Sequence, residues 1–493
     1  MDDLALNSLQ RLHAANADPA GLALRFIAAA GQEETYSVQG LERRVAQSAQ
    51  RLLSLAEPGA RVALVGDNSP ALLVANLAVW RAGLTAVPLN PRLSRDVQRY
   101  ILENAGLALA LGDLEADAPL ASLPTRTLED ATATAEVDTA TSKSSLPDHA
   151  AVMYTSGSTG RPKAVPISHR GYAWALEQFA FLAPAIAGKE VLVAAPLFHM
   201  NAQFHMLTSL LYGGTALLLP RFDPADCLRV IESSAALRLT GVPTMFELLL
   251  REISRVGCGP LEQVDSVAMG SAPVSASLLS RLQAQFPRAA ISNGYGTTET
   301  GPAIFGAHPA GDAAPPGSIG FPMPGVDLAL DPGPDEGVLR VRSPMVADAY
   351  LGQAALSAER FQDGWYVTGD RMRRDDRGFY HFLEREDDMM VCGGHNLYPR
   401  EVELRLLQHG AVLEAAVVAL PDPVKGEVPV AFVVCAEPVA IDALQAHCLA
   451  TGPAYAHPRF ISLCDALPLS GVNKIDRAAL AAQALRQFGE HRQ

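Results

Sequence analysis

The sequence predicts an α/β protein. A large amino-terminal domain of packed, parallel-rich sheets with helices and a small β subdomain is followed by a smaller α+β domain. Three observations carry this. Short β-type apolar runs alternate with helix-length apolar segments between residues 61 and 270. From 326 to 385 β-type runs instead crowd together with short turns. Beyond Asp387 a glycine pair, a helix and two apolar strands complete a compact unit, so the domains are expected at 1–386 and 387–493.

Taken in order, RVALVGD, ALLVANLAVWRAG and LTAVPL between Arg61 and Leu89 read as strand, helix and strand. The stretch from Gly112 to Pro147 is rich in Ala, Thr, Asp and Ser without periodicity, and is expected to be a surface excursion without chemistry. The alternation resumes with KEVLVAAPLF, a helical stretch and GTALLLP over 189–219, then with a helix, LRLTGVP and VDSVAMG over 226–270. After the irregular stretch 310–325, the runs VDLAL, GVLRVRS, GWYVTGD and GFYHFLE form the small β subdomain. A helix starting near Pro399 and the strands AAVVAL and VPVAFVV build the terminal domain.

Bulk properties exclude several classes. With 493 residues, 49% hydrophobic and 19% charged, the chain can bury more than one core. A net charge of −14 argues against a nucleic-acid partner, whose binding draws on concentrated Lys and Arg. No apolar run approaches the ~20 residues that span a bilayer, and MDDLALNSLQRLH is acidic and polar where a secretory signal is basic and then apolar. A cytoplasmic protein without membrane insertion is expected, with a homodimer left open. The six cysteines show no CxxC pair or zinc-like spacing and read as reduced thiols.

The chemistry concentrates in AVMYTSGSTGRPKAVPISH, Ala151 to His169. Gly157 and Gly160 let a backbone approach an anion closely, Thr155, Ser156, Ser158 and Thr159 add hydroxyls, and Lys163 adds a charge. A Ser-rich surface turn is the bland alternative, and the flanking strand patterns weigh against it. The loop is not of the GxxxxGK[ST] kind, because Arg161 and Pro162 follow Gly160.

YTSGSTGRPK resembles the phosphate-loop signature of the acyl-adenylate-forming superfamily, in its acyl-CoA synthetase and 4-chlorobenzoate-CoA-ligase-like branch. NGYGTTE (293–299), YVTGD (366–370), LEREDDMMVCGGHNLYPREVE (383–403) and PLSGVNKIDR (468–477) resemble its further motifs, in the family's order. The resemblance implies that Asn293, Gly294, Tyr295, Gly296, Thr297 and Thr298 bind adenine and phosphate, and that Glu299, helped by Thr155, holds Mg²⁺. It implies ribose contacts from Asp370 and Arg385, and a catalytic Lys474 that bridges the acid's carboxylate and the α-phosphate of ATP. Asn473 stands where the family usually has Gly, and asparagine tolerates the left-handed backbone better than most residues.

For the acid, the resemblance points to PLFHMNAQFH, with His199 as a gate and Met200, Asn201, Gly270, Ser271, Ala272 and Gly294 as walls. Asn201, Gln203 and His205 make this segment too polar for a fatty tunnel, so a small, aromatic, branched or hydroxylated carboxylic acid is expected. For the thiol, Gly393 and Gly394 resemble the pantetheine tunnel, and Tyr455, His457 and Arg459 fall where relatives contact the coenzyme A nucleotide. Asp387 is the implied hinge about which the terminal domain swings between two half-reactions. The expected function is an acid-thiol ligase that forms acyl-AMP and then acyl-CoA. The competing readings are an acyl-AMP ligase loading a carrier protein and a non-catalytic acyl-adenylate-binding protein; the presence of Lys474 and Glu299 weighs against the second.

Overall fold

The computed structural model describes residues 20–28, 32–133, 148–155, 161–272, 274–315, 317–471 and 474–489. Two large sheets organise the first part of the chain. In the first, the strands stand in the order Thr125–Arg126, Leu107–Gly112, Arg61–Val65, Thr85–Leu89, His149–Thr155 and Lys163–Ser168. In the second the order is Ala290–Gly294, Val264–Gly270, Leu237–Gly241, Glu190–Val193, Thr215–Leu218, Leu22–Ile27 and Glu33–Ser37. Each sheet is parallel apart from one antiparallel pair at an edge. Parallel strands need helical crossovers, and the apolar segments supply them: Pro70–Arg81 returns Arg61–Val65 to Thr85–Leu89, and Met200–Leu211 returns Glu190–Val193 to Thr215–Leu218.

The sheets share one core through these helices. Trp80 is fully buried, donates its indole N–H to the carbonyl of Ala150 at 2.8 Å, and lies 5.3 Å from the ring of Tyr172. Tyr172 stacks on Phe204 at 5.1 Å and donates its hydroxyl to Gln203 at 2.7 Å. Asn68 ties the sheets with every group it has. Its amide nitrogen donates to the carbonyls of Ala195 and Leu219, both at 3.0 Å, and its oxygen accepts the N–H of Leu197 at 2.7 Å. A buried amide this fully satisfied costs little and fixes the loop that carries His199.

The β subdomain is as expected: Asp327–Pro332, Glu336–Arg342, Trp365–Arg374 and Tyr380–Arg385 pair antiparallel. The tail forms another sheet around the long hairpin Val412–Asp422 and Gly426–Cys435, with Pro399–Leu407 packed on it and a separate core of its own. One expectation needs correcting. Part of the supposed surface excursion is built into the fold, since Thr125–Arg126 extends the first sheet and Leu128–Thr132 is a helix capped by Thr127, with Leu120, Leu128 and Ala131 buried. A two-residue strand and a five-residue helix are too short to show a period. Among the described residues no helix is long and apolar enough to cross a membrane, and all six cysteines are free.

Candidate active site

The motif residues collect where the carboxyl ends of the parallel strands meet the β subdomain, as expected for ligand sites in open α/β sheets. Thr155 and Lys163 are paired across the antiparallel hairpin that closes the first sheet. Ser156, Gly157, Ser158, Thr159 and Gly160 lie outside the described residues, as does Asn473. Lys163 Nζ stands 5.5 Å from the centre of the Tyr350 ring.

The strand Ala290–Gly294 delivers the next motif. Asn293 keeps its side-chain oxygen buried with no partner among the described residues, and an amino group of a nucleobase could donate to it. Gly296 admits no side chain, since a Cβ there would lie 2.2 Å from the carbonyl oxygen of Gly301. Thr297 and Thr300 exchange backbone-to-hydroxyl hydrogen bonds at 2.9 and 3.2 Å and hold the turn that presents Glu299. Glu299 is buried, and its Oε1 accepts the hydroxyl of Tyr350 at 2.8 Å. Among the described residues no second hydrogen bond holds that carboxylate, so Oε2 can serve a hard cation that keeps other oxygen ligands from phosphates and water.

Asp370 stands opposite Arg385 across two antiparallel strands, and Arg385 Nε donates to its Oδ1 at 2.6 Å. Tyr295 donates its hydroxyl to Oδ2. Burial and this carboxylate hold the Tyr295 phenol far above its ordinary pKa, so it acts as a donor only. Asp370 also holds the Arg385 guanidinium further up. Both Asp370 oxygens are therefore oriented before any ribose arrives, each with a lone pair to spare.

Lys474 enters this site from the terminal domain. Burial, and then the charge of Arg385, bring its pKa down to about 8. The same lysine adds to the burial that pushes His199 down to about 3, so the two side chains are neighbours and His199 is a neutral imidazole. His199 Nε2 is buried and has no hydrogen-bond partner among the described residues. The loop before Lys474 touches the first domain closely enough that a Cβ on Gly471 would meet Asn90 Nδ2 at 2.5 Å. Below it, Arg251 donates to Glu414 and to the carbonyl of Asp465 at 3.4 Å.

The expected acid walls converge. A Cβ on Gly270 would lie 3.2 Å from the carbonyl of Gly294 and 3.9 Å from Asn201 Nδ2. Ser271 holds a left-handed φ of 67°, the kind of strain that accumulates at binding sites, with Ala272 next to it. Met200 is instead buried in the core between the sheets. Sequence reasoning missed Arg238, although a charge inside the apolar strand LRLTG was its visible signal. Arg238 is buried, has no carboxylate partner among the described residues, donates to Ser266 Oγ at 3.1 Å and leaves its Nε unpaired. Its charge bears on His205, which burial holds neutral with a pKa of about 3.

The thiol-side residues lie apart. Gly393 and Gly394, with φ of 60° and 82°, form the exposed tip of the hairpin Met390–Cys392 and His395–Leu397, with open space where side chains would be. His395 stacks on Tyr455 at 4.4 Å, close to His457 and the exposed Arg459. Asp387 sits in the short helix Glu386–Asp388 between the two domains' strands and pairs with Arg360 at 3.2 Å.

A chain with this fold and this ordered site belongs to the AMP-binding enzyme family, whose model matches residues 13–351, with the AMP-binding enzyme C-terminal domain over 401–474. It is 35% identical to a feruloyl-CoA synthase of an Amycolatopsis species, over 91% of this chain and 93% of that one. It is 31% identical to a 2-succinylbenzoate–CoA ligase of Bacillus velezensis, over 86% and 87%. The protein is an ATP-dependent, AMP-forming acyl-CoA ligase that uses ATP, Mg²⁺ and coenzyme A. Among solved structures, ATP-bound MatB from Rhodopseudomonas palustris superposes with a TM-score of 0.85 at 27% identity, over 97% of this chain and 99% of that one. The o-succinylbenzoate CoA synthetase of Bacillus subtilis with ATP and magnesium gives 0.80 at 28% identity, over 96% and 99%. A double mutant of that synthetase bound with its product analogue gives 0.69 at 28% identity, over 96% and 97%.

Proposed function

We propose that Lys474 drives adenylation in the arrangement described and that the terminal domain, taken as 387–493, then swings about Asp387 to bring Gly393 and Gly394 to the acyl-adenylate. The observation that carries this reading is the seating of Lys474 beside His199 and Arg385 while the glycine hairpin lies exposed elsewhere. The higher similarity to the ATP-bound synthetase than to its product-analogue complex supports the same arrangement.

The acid's carboxylate oxygen attacks the α-phosphorus, and the bond to pyrophosphate breaks. Two anions must approach, so the Lys474 ammonium placed between them lowers the barrier by offsetting charge on the phosphoryl oxygens. Tyr295, Asp370 and Arg385 hold the nucleoside, and Thr155 and Lys163 line the phosphates. Glu299, with Thr155 nearby, would hold Mg²⁺, which would supply charge neutralisation at the phosphates. His199 is neutral and orients the acid without adding a charge. In the second step the coenzyme A sulfur attacks the acyl carbon and AMP leaves.

The far end of the acid pocket supports a substrate with a second anionic or strongly hydrogen-bond-accepting oxygen. Arg238 registers with Ser266, four residues before Gly270, so about 13 Å separates it from the Gly270–Gly294 wall at ~3.3 Å per residue. That span, partly filled by the arginine itself, suits a short or single-ring acid. A cytoplasmic location and a homodimeric assembly belong to the same reading, and light scattering tests the assembly. The deciding experiment compares matched acids with and without a distal carboxylate or phenol, using ATP and coenzyme A and reading acyl-CoA and AMP. Wild type should favour the doubly polar acids by at least about tenfold, as a charge-assisted contact warrants, and Arg238→Leu should erase that preference while sparing ATP affinity. A best substrate with a long unbranched alkyl chain would overturn it.

A further inference from the structure

Tyr350 lies in none of the motifs quoted above, yet it meets two groups of opposite charge to which the proposed mechanism gives the metal and the phosphates. Its hydroxyl donates to Glu299 Oε1 at 2.8 Å, and the Lys163 ammonium stands over its ring at 5.5 Å. The ring is fixed from several sides. Its backbone N–H donates to Ser357 Oγ at 2.9 Å, Phe361 meets it edge-on at 5.1 Å, and it is 3% exposed. The Tyr366 hydroxyl lies 3.2 Å from the Tyr350 oxygen. With the Tyr350 proton committed to the carboxylate, the remaining lone pair accepts from Tyr366, and the two phenols form a short donor chain ending on Glu299.

We propose that Tyr350 is a positioning residue for MgATP: its hydroxyl fixes Oε1 of Glu299 so that Oε2 is presented to the metal, and its ring face seats the Lys163 ammonium toward the phosphates. The carboxylate would otherwise be free to rotate and share the cation between its oxygens, or to pair with Lys163 and remove both from use. A single side chain that binds the carboxylate by its edge and the ammonium by its face keeps the two apart.

This inference rests on Glu299 being the metal carboxylate, and the test separates the two. ATP binding is measured by calorimetry without acid or coenzyme A, across a Mg²⁺ titration and in EDTA. Glu299→Gln reports on the underlying reading: if it leaves the Mg²⁺ dependence unchanged, Glu299 is not the metal carboxylate. Tyr350→Phe keeps the ring and removes the hydroxyl. It should raise the Mg²⁺ concentration for half-maximal tightening of ATP about three- to tenfold, a part of what one charge-assisted hydrogen bond is worth because the hydroxyl acts on the metal only through Glu299, and leave affinity in EDTA unchanged. Tyr366→Phe should shift the same midpoint less. Tyr350→Met and Tyr350→Leu also remove the ring face, and whichever folds should in addition weaken ATP in EDTA severalfold. The proposal is overturned if Glu299→Gln shifts the Mg²⁺ midpoint while Tyr350→Phe does not, or if the aliphatic variants bind ATP in EDTA as tightly as wild type.

Discussion

Lys474 is where burial and charge act against one another most directly. Its ammonium is partly withdrawn from water beside Arg385, which lowers its pKa to about 8, so it is mostly charged at neutral pH and loses its proton as pH rises through that value. ATP brings anionic oxygens to the same place and should raise the pKa again. Binding of ATP at pH 8.5 should therefore take up a fraction of a proton, measured by calorimetry in buffers of different ionisation enthalpy, and Lys474→Met should abolish the uptake. The same variant should slow adenylate formation about 10²- to 10³-fold, the usual cost of one transition-state donor, while sparing thioester formation from presynthesised acyl-AMP. His199 gives the contrasting case: held near 3, it stays neutral between pH 5 and 9, so a titration in that window that disappears in His199→Ala would contradict the geometry. The chemistry-bearing side chains were legible because they sit in short ordered motifs at or near strand ends, such as Asp370 in YVTGD and Glu299 in NGYGTTE. Their supports were not. Tyr350 and Glu299 are 51 positions apart, and Asn68 reaches a carbonyl 151 positions away, distances at which no local pattern connects two residues.

Elements show the same division between what a local pattern announces and what packing decides. The alternation of apolar runs gave the strands and crossovers from Arg61 to Gly270 because each is long enough to complete a period, and the β subdomain followed from its crowded runs. Sheet order was not readable, since the placement of Leu22–Ile27 beside Thr215–Leu218 depends on contacts formed late in the chain. The turn after Ala290–Gly294 offers a sharp test. At Gly296 a Cβ would press on the carbonyl of Gly301 and on Pro302 at 2.8 Å, so Gly296→Ala must shift the backbone that frames Tyr295. Its expected cost is about 1–3 kcal/mol in denaturant unfolding, with a weakened ATP affinity. The hairpin tip behaves differently, because Gly394 has open space around it. Gly394→Leu should leave adenylation intact and slow the thioester step, through its positive φ and the bulk carried into the thiol path.

For the whole molecule, the proposed alternation makes the balance between the two steps depend on contacts that hold the terminal domain against the first. Arg251 with Glu414, and Arg360 with Asp387, are ion pairs across that junction. Arg251→Ala should loosen the arrangement that seats Lys474, slowing adenylation severalfold in rapid-quench assays while leaving the thioester step unchanged or faster; equal slowing of both steps with the fold intact would count against alternation. Asp387→Pro should do the reverse, stiffening the hinge and slowing the thioester step. The placement of these residues on the two large sheets has a further consequence. The phosphate hairpin ends the first sheet, whereas Arg238, Ser266, Gly270 and Gly294 all belong to the second, and Asn68 fastens one to the other. On the proposed roles, Arg238 and Ser266 can be exchanged while Asn293, Gly294 and the phosphate hairpin stay as they are, so this scaffold can change its diet while keeping its fuel.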